Sequence, residues 1–78
     1  MPKAIVLINT DVGMEDEVVR QLSNMPEVRE VHIVYGVYDL VAIVEASSFD
    51  ELRSAIVNKI RRLPHIKSTT TLIVVEKV

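Results

Sequence analysis

Apolar residues fall into short runs with two different periods. Lys3 to Asn9 is a β-branched-rich run that ends in the turn-prone Asn9-Thr10-Asp11, which predicts a strand. Met14, Val18 and Leu22 then recur every four residues and Met25 follows, which predicts a helix over Gly13 to Asn24. Glu15, Asp16 and Glu17 suit its positive end, and Pro26 stops it. Val28 to Tyr35 and Asp39 to Ala46 read as two further strands, with Gly36 in a short hairpin connection. Ser48-Phe49-Asp50-Glu51 fits a capping box, in which the Glu51 side chain would reach back to the amide of Ser48. Phe49, Leu52, Ile56, Ile60 and Leu63 mark one face of the second helix, and Pro64 ends it. Ser68 to Glu76 is the last strand.

The order β-α-β-β-α-β is the split βαβ, or ferredoxin-like, pattern of the α+β class. Its two crossovers put both helices on one face of an antiparallel sheet. A sheet with one wet face should alternate apolar and polar residues. Ile5-Val6-Leu7-Ile8, Val41-Ala42-Ile43-Val44 and Leu72-Ile73-Val74-Val75 are instead apolar throughout. The helices can cover only one face, and soluble monomers rarely leave such a patch open. The pattern therefore predicts a homo-oligomer, most simply a two-fold dimer packed sheet to sheet.

Composition narrows the classes. The chain has 78 residues, enough for one domain spanning the whole length, and domains this small are often marginal alone. There is no Cys, so disulfides, a thiolate nucleophile and Cys-ligated clusters are excluded, and oligomerisation is the remaining common staple. Nine Lys and Arg against eleven Asp and Glu argue against an electrostatic nucleic-acid binder. No apolar run approaches the roughly 18–20 residues of a membrane span, and the expectation is a cytoplasmic domain.

Candidate chemistry is sparse. His32 and His65 have no metal-ligand spacing, and consecutive Glu15, Asp16 and Glu17 do not share a helix face. No catalytic triad and no Gly-rich phosphate loop occurs, and no cofactor or metal is expected. Tyr35-Gly36-Val37-Tyr38-Asp39 places a flexible Gly, two aromatic rings and a carboxylate at one turn. Asp39 there can accept from a ligand ammonium or simply from turn amides. Ser68-Thr69-Thr70-Thr71 offers a row of hydroxyls that suits a small zwitterion, or simply a good strand.

At these residues the chain resembles the C-terminal effector (RAM) domain of the Lrp/AsnC regulators. Gly36-Val37-Tyr38-Asp39-Leu40 looks like that family's glycine–x–aromatic–aspartate motif. Leu63-Pro64-His65-Ile66 is similar to its Leu-Pro-Gly-Val, and Thr69-Thr70-Thr71-Leu72-Ile73-Val74 to its Thr-x-Thr-x-Ile-Val strand. The segment Leu22 to Val28 also fits, so the likeness covers essentially the whole chain. His65 departs from the usual Gly, a change that is tolerable if the turn keeps φ negative. The family's helix-turn-helix domain has no room before Lys3, so a stand-alone effector module is expected and direct DNA binding is not carried over.

The resemblance implies a ferredoxin-like domain that dimerises through its sheet and assembles into rings, commonly octamers. It implies a small effector, typically an amino acid, bound between neighbouring dimers. By similarity, Tyr35, Gly36, Val37, Tyr38 and Asp39 would line that pocket, with Asp39 toward the effector's ammonium. Thr69, Thr70 and Thr71 would line it from a second chain. The expected role is a non-catalytic sensing and assembly module acting on transcription indirectly, with a full-length Lrp/AsnC regulator as a possible co-assembling partner. Two rivals stand beside it: a cofactor-free enzyme of the dimeric α+β barrel type, and an assembly module without ligand.

Overall fold

A computed structural model describes residues 1–78. Strand β1 (Lys3–Thr10) leads to helix α1 (Glu15–Ser23), then to strands β2 (Val28–Ile33) and β3 (Leu40–Glu45). Helix α2 (Phe49–Ser54) continues through a π turn (Ala55–Lys59) and a 3-10 turn (Ile60–Arg62) into strand β4 (Ile66–Ile73). The four strands form one sheet of order β2-β3-β1-β4, with antiparallel neighbours throughout. This is the ferredoxin-like α+β architecture.

The apolar runs of the central strands resolve into two faces. Along β1 burial alternates at every residue, and Ala4, Val6, Ile8 and Thr10 are buried. Leu40, Ala42 and Val44 of β3 join them, beneath Val18 and Leu22 of α1 and Leu52, Ile56 and Ile60 of the second helix. Thirteen buried residues form this single core between sheet and helices. At about 25 cal/mol per Å² of apolar area, burying one Val, Leu or Ile side chain contributes about 1.5–3 kcal/mol. The opposite face carries Ile5, Leu7, Val41 and Ile43, each only half-buried in the single chain, with Leu72 48% exposed beside them.

Four local differences from the sequence reading have physical causes. Helix α1 begins at Glu15 rather than Gly13, because Gly13 adopts φ +81° and cannot be helical. The β2–β3 connection, Val34–Asp39, is longer than a tight hairpin, with Gly36 at φ +144°. Strand β4 runs from Ile66 to Ile73 rather than from Ser68 to Glu76. Its partner β1 begins at Lys3, and the bond from the Val74 amide to the Lys3 carbonyl is the last between the two strands, the Pro2 carbonyl turning instead to the Ala46 amide. At the other end a bulge at Asn9/Thr10 lets β1 reach Ile66.

His65 is the fourth. Its φ is +71°, so the condition under which a non-glycine residue is free of strain at this turn is not met. The left-handed conformation costs a non-glycine residue roughly 1–2 kcal/mol. It is held by the Asp11 amide, which donates to the His65 carbonyl at 2.9 Å, while His65 Nδ1 lies 3.4 Å from Asp11 Oδ2.

The second helix explains its own irregularity. Leu52, Ile56 and Ile60 are all buried, at two successive spacings of four. In a regular α-helix each such step overshoots a full turn by about 40°. The wider π turn at Ala55–Lys59 underwinds the helix and keeps the three side chains on the core. The N-terminus is capped as expected at Ser48, whose hydroxyl accepts from the Glu51 amide at 3.1 Å. The return contact differs: the Glu51 carboxylate accepts from the amide of Ser47, at 3.3 Å, and not from that of Ser48.

Candidate functional site

The residues singled out in the sequence gather at one end of the sheet and along β4. The Val34–Asp39 connection closes on itself, the Val34 amide donating to the Asp39 carbonyl at 2.9 Å. It is anchored to β1 by the Asp39 amide, which donates to the Ile8 carbonyl at 3.0 Å. Between these anchors the backbone projects outward. Tyr35 is fully exposed and Val37 is 84% exposed. A Cβ on Gly36 would meet nothing within 4 Å, so glycine serves the backbone angle there and not a close approach.

Asp39 points back into the fold. Its Oδ2 accepts from the Thr10 amide at 2.9 Å, with the Thr10 hydroxyl 3.5 Å away. Thr10 is the one buried polar residue, and its hydroxyl also lies 3.5 Å from Glu15 Oε1. Glu15 in turn accepts from the Gly13 amide at 3.1 Å. Asp39 thus fills the turn-amide role, and its charge sits beside Glu15 where β1 passes into the α1 loop.

Tyr38 turns toward β4, where its hydroxyl lies 2.8 Å from that of Thr70. Registers decide which threonine can share that face. Thr70 pairs with Leu7 and so lies on the open face. Thr69 pairs with Ile8 and Thr71 with Val6, which places both on the helix side. The structure therefore brings Tyr38 and Thr70 together and leaves Thr69 and Thr71 behind the sheet within one chain. Asn9 extends the polar edge, its Nδ2 donating to the Ser68 hydroxyl at 3.3 Å.

The remaining candidates are surface groups. His32 Nε2 lies 2.9 Å from Glu30 Oε1 on edge strand β2. Glu17 pairs with Arg20 at 2.6 Å, and the bonds from Arg20 and Gln21 hold its carboxyl below the usual glutamate value. No three His, Asp or Glu side chains converge as a metal site would require. No helix is long and apolar enough to cross a membrane. One ion pair that the sequence reading missed joins Lys59 Nζ to Glu27 Oε2 at 2.7 Å. Its partners are 32 residues apart, so no local spacing announces it.

Comparison with known proteins places this geometry. Residues 3–78 match the Lrp/AsnC ligand binding domain. The uncharacterized HTH-type transcriptional regulator PH1916 of Pyrococcus horikoshii is 34% identical over 73 residues, covering 90% of this chain and 49% of the relative. The chain thus spans about half the length of the curated relatives it matches. Among solved structures, FFRP-DM1 superposes with a TM-score of 0.93 at 43% identity, covering 96% of this chain and all of that one. AsnC of E. coli gives 0.91 at 27% identity, covering 97% of this chain and 52% of that one. A regulator from Neisseria meningitidis, NMB0573, solved as its L-Met complex, shares the fold with a TM-score of 0.88 at 9% identity, covering 99% of this chain and 51% of that one.

Proposed function

The chain belongs to the Lrp/AsnC ligand-binding domain family, and from that premise we propose that it is a non-catalytic module that binds an amino acid and couples that binding to its own assembly. Two copies pack open face to open face through Ile5, Leu7, Val41 and Ile43. The dimers join into a ring, an octamer by resemblance, through the projecting Val34–Asp39 connections. The effector lies at the seam between dimers. Tyr35, Gly36, Val37, Tyr38 and Asp39 approach it from one chain and the threonine row Thr69, Thr70 and Thr71 from another.

One observation carries the reading: the Tyr38 and Thr70 hydroxyls meet at 2.8 Å on the rim of an apolar open face, next to a connection whose Tyr35 and Val37 are exposed. Neutral hydroxyls and exposed apolar groups suit a zwitterion with an apolar side chain. The L-Met complex of the Neisseria regulator is a precedent on the same fold for that ligand class. An effector that completes its pocket only at a seam stabilises the assembly containing that seam, so ligand and oligomer size are linked. Such a module acts on transcription indirectly, by co-assembling with a full-length Lrp/AsnC regulator.

Native mass spectrometry with and without a pool of the common amino acids tests this. The expected result is an even-numbered oligomer that retains one amino acid per subunit or changes size with it. The engagement of Asp39 by Thr10 favours assembly without ligand as the second reading, and an oligomer indifferent to every amino acid selects it.

A further inference from the structure

An amino-acid effector is a zwitterion, and the residues assigned to it above answer only half of its charge. Asp39 meets the ammonium. The Tyr35 and Tyr38 rings and the hydroxyls of Thr69, Thr70 and Thr71 are neutral. A carboxylate taken out of water at a seam is costly without a cationic partner, and a guanidinium meets it with two parallel hydrogen bonds. A site of this kind therefore calls for a cation beside the threonine row.

Within one chain Thr70 is already engaged, its hydroxyl 2.8 Å from that of Tyr38. Thr69 and Thr71 share the helix side of β4 and open on two different hollows. Thr71 lines a groove of about 360 Å³ between the second helix and β4, with Leu52, Ile56, Val57 and Ile73 among its walls. Thr69 lines a polar hollow of about 350 Å³ at the start of β4, with Lys67 and Ser68. Arg61 is the one residue that lines both. Its backbone is fixed by its neighbours in the 3-10 turn Ile60–Arg62. Ile60 is buried in the core, and the Leu63 amide donates to the Ile60 carbonyl at 3.1 Å. The adjacent Arg62 borders neither hollow, while Arg53 borders only the groove of the two and Lys67 only the polar hollow. Position, and not charge alone, singles out Arg61.

We propose that Arg61, from the chain that brings the threonine row to the seam, binds the α-carboxylate of the effector whose ammonium meets Asp39 of the other chain. The assignment rests on the amino-acid reading above and supplies the cation that it lacks. The carboxylate lies between the Thr69 and Thr71 hydroxyls, which are about 6.6–6.8 Å apart along the strand and can each donate to one of its oxygens. The apolar side chain then runs into the groove, against Val57 and Ile73. Arg61 thus fixes which end of the ligand faces which chain, and the walls of the groove select the side chain.

The test starts from the native chain and an equimolar mixture of the common L-amino acids, and native mass spectrometry identifies the one retained. That amino acid and its α-carboxamide are then titrated calorimetrically into the native chain, Arg61→Gln and Arg62→Gln. Circular dichroism and oligomer size are checked for each variant. The native chain should prefer the acid to the carboxamide by at least about tenfold. Arg61→Gln should bind the acid at least about tenfold more weakly and bind acid and carboxamide alike. Loss of packing alone would weaken both ligands and leave their ratio unchanged. Arg62→Gln, which removes the same charge one residue away, should behave as the native chain. A native chain that binds acid and carboxamide equally overturns the assignment, as does an Arg61→Gln chain that still prefers the acid, and either result leaves the amino-acid reading standing. Equal losses in Arg61→Gln and Arg62→Gln reduce the effect to net charge and overturn it too. Retention of no amino acid by the native chain overturns the reading itself, and the assignment with it.

Discussion

The Asp39 carboxylate accepts from the backbone amide of Thr10, 29 residues upstream, at 2.9 Å. With the bond from the Asp39 amide to the Ile8 carbonyl, it fastens the approach to β3 onto the bulged end of β1. It gives the glycine–x–aromatic–aspartate motif a structural task independent of any ligand. Charge and shape at Asp39 are separable for this reason. Asp39→Ala strands the amide of a buried residue and is expected to cost about 1–3 kcal/mol in urea unfolding. Asp39→Asn keeps an acceptor oxygen and should cost less than about 1 kcal/mol. If the carboxylate also meets an effector ammonium, Asp39→Asn weakens calorimetric affinity by about 10–100-fold for the amino acid retained in native mass spectrometry. Unchanged affinity removes Asp39 from the pocket.

The open face predicts its own disruption. Ile43 is half-buried in the single chain and contributes nothing to the helix-side core. Ile43→Lys should leave the circular dichroism spectrum intact and turn the proposed sheet-to-sheet dimer into monomer in sedimentation velocity. A dimer that survives the substitution places the interface elsewhere.

His65 tests the left-handed turn. His65→Gly removes strain of roughly 1–2 kcal/mol, offset by the greater freedom of glycine in the unfolded chain. The net expectation is a stabilisation of up to about 1 kcal/mol. His65→Val, β-branched at φ +71°, should instead destabilise by more than about 1 kcal/mol. Both are read from denaturant midpoints at constant m-value.

Glu27 supplies a pH dependence. The bond from Lys59 is the main cause that holds its carboxyl below the ordinary glutamate value, with a backbone bond second. Its Oε1 is sealed from water without a partner, so the pair is not fully compensated. A depressed folded value means that the contribution is fully present above the unfolded glutamate range. It is lost as pH falls through the depressed value. Lys59 is 46% exposed, which limits the pair to less than about 1 kcal/mol. Glu27→Gln should flatten the acid side of the stability profile below about pH 5 and leave the neutral region little changed.

Much of this molecule was readable from period and punctuation. Pro26 and Pro64 bound the helices, and the runs through Ile5, Val41 and Leu72 announced a sheet with two apolar faces. What escaped depends on partners distant in sequence. The limits of β4 follow from where β1 starts, so Val74 and Val75 look like strand and are not. Which threonine shares a face with Tyr38 follows from pairing register, which a run of like residues does not encode. The contact from Asp39 to Thr10 and the positive φ of His65 both arise where three loops meet at one end of the sheet.

The π turn at Ala55–Lys59 has a bearing on descent. It is a surplus residue absorbed without a loop, so it leaves no bulge in the outline of the fold. A relative whose second helix is regular reaches the same core positions with one residue fewer between Leu52 and Ile60. An ungapped comparison across that turn would equate residues on different sides of the helix. Val57 and Arg61 would then be matched to positions on another side of that helix.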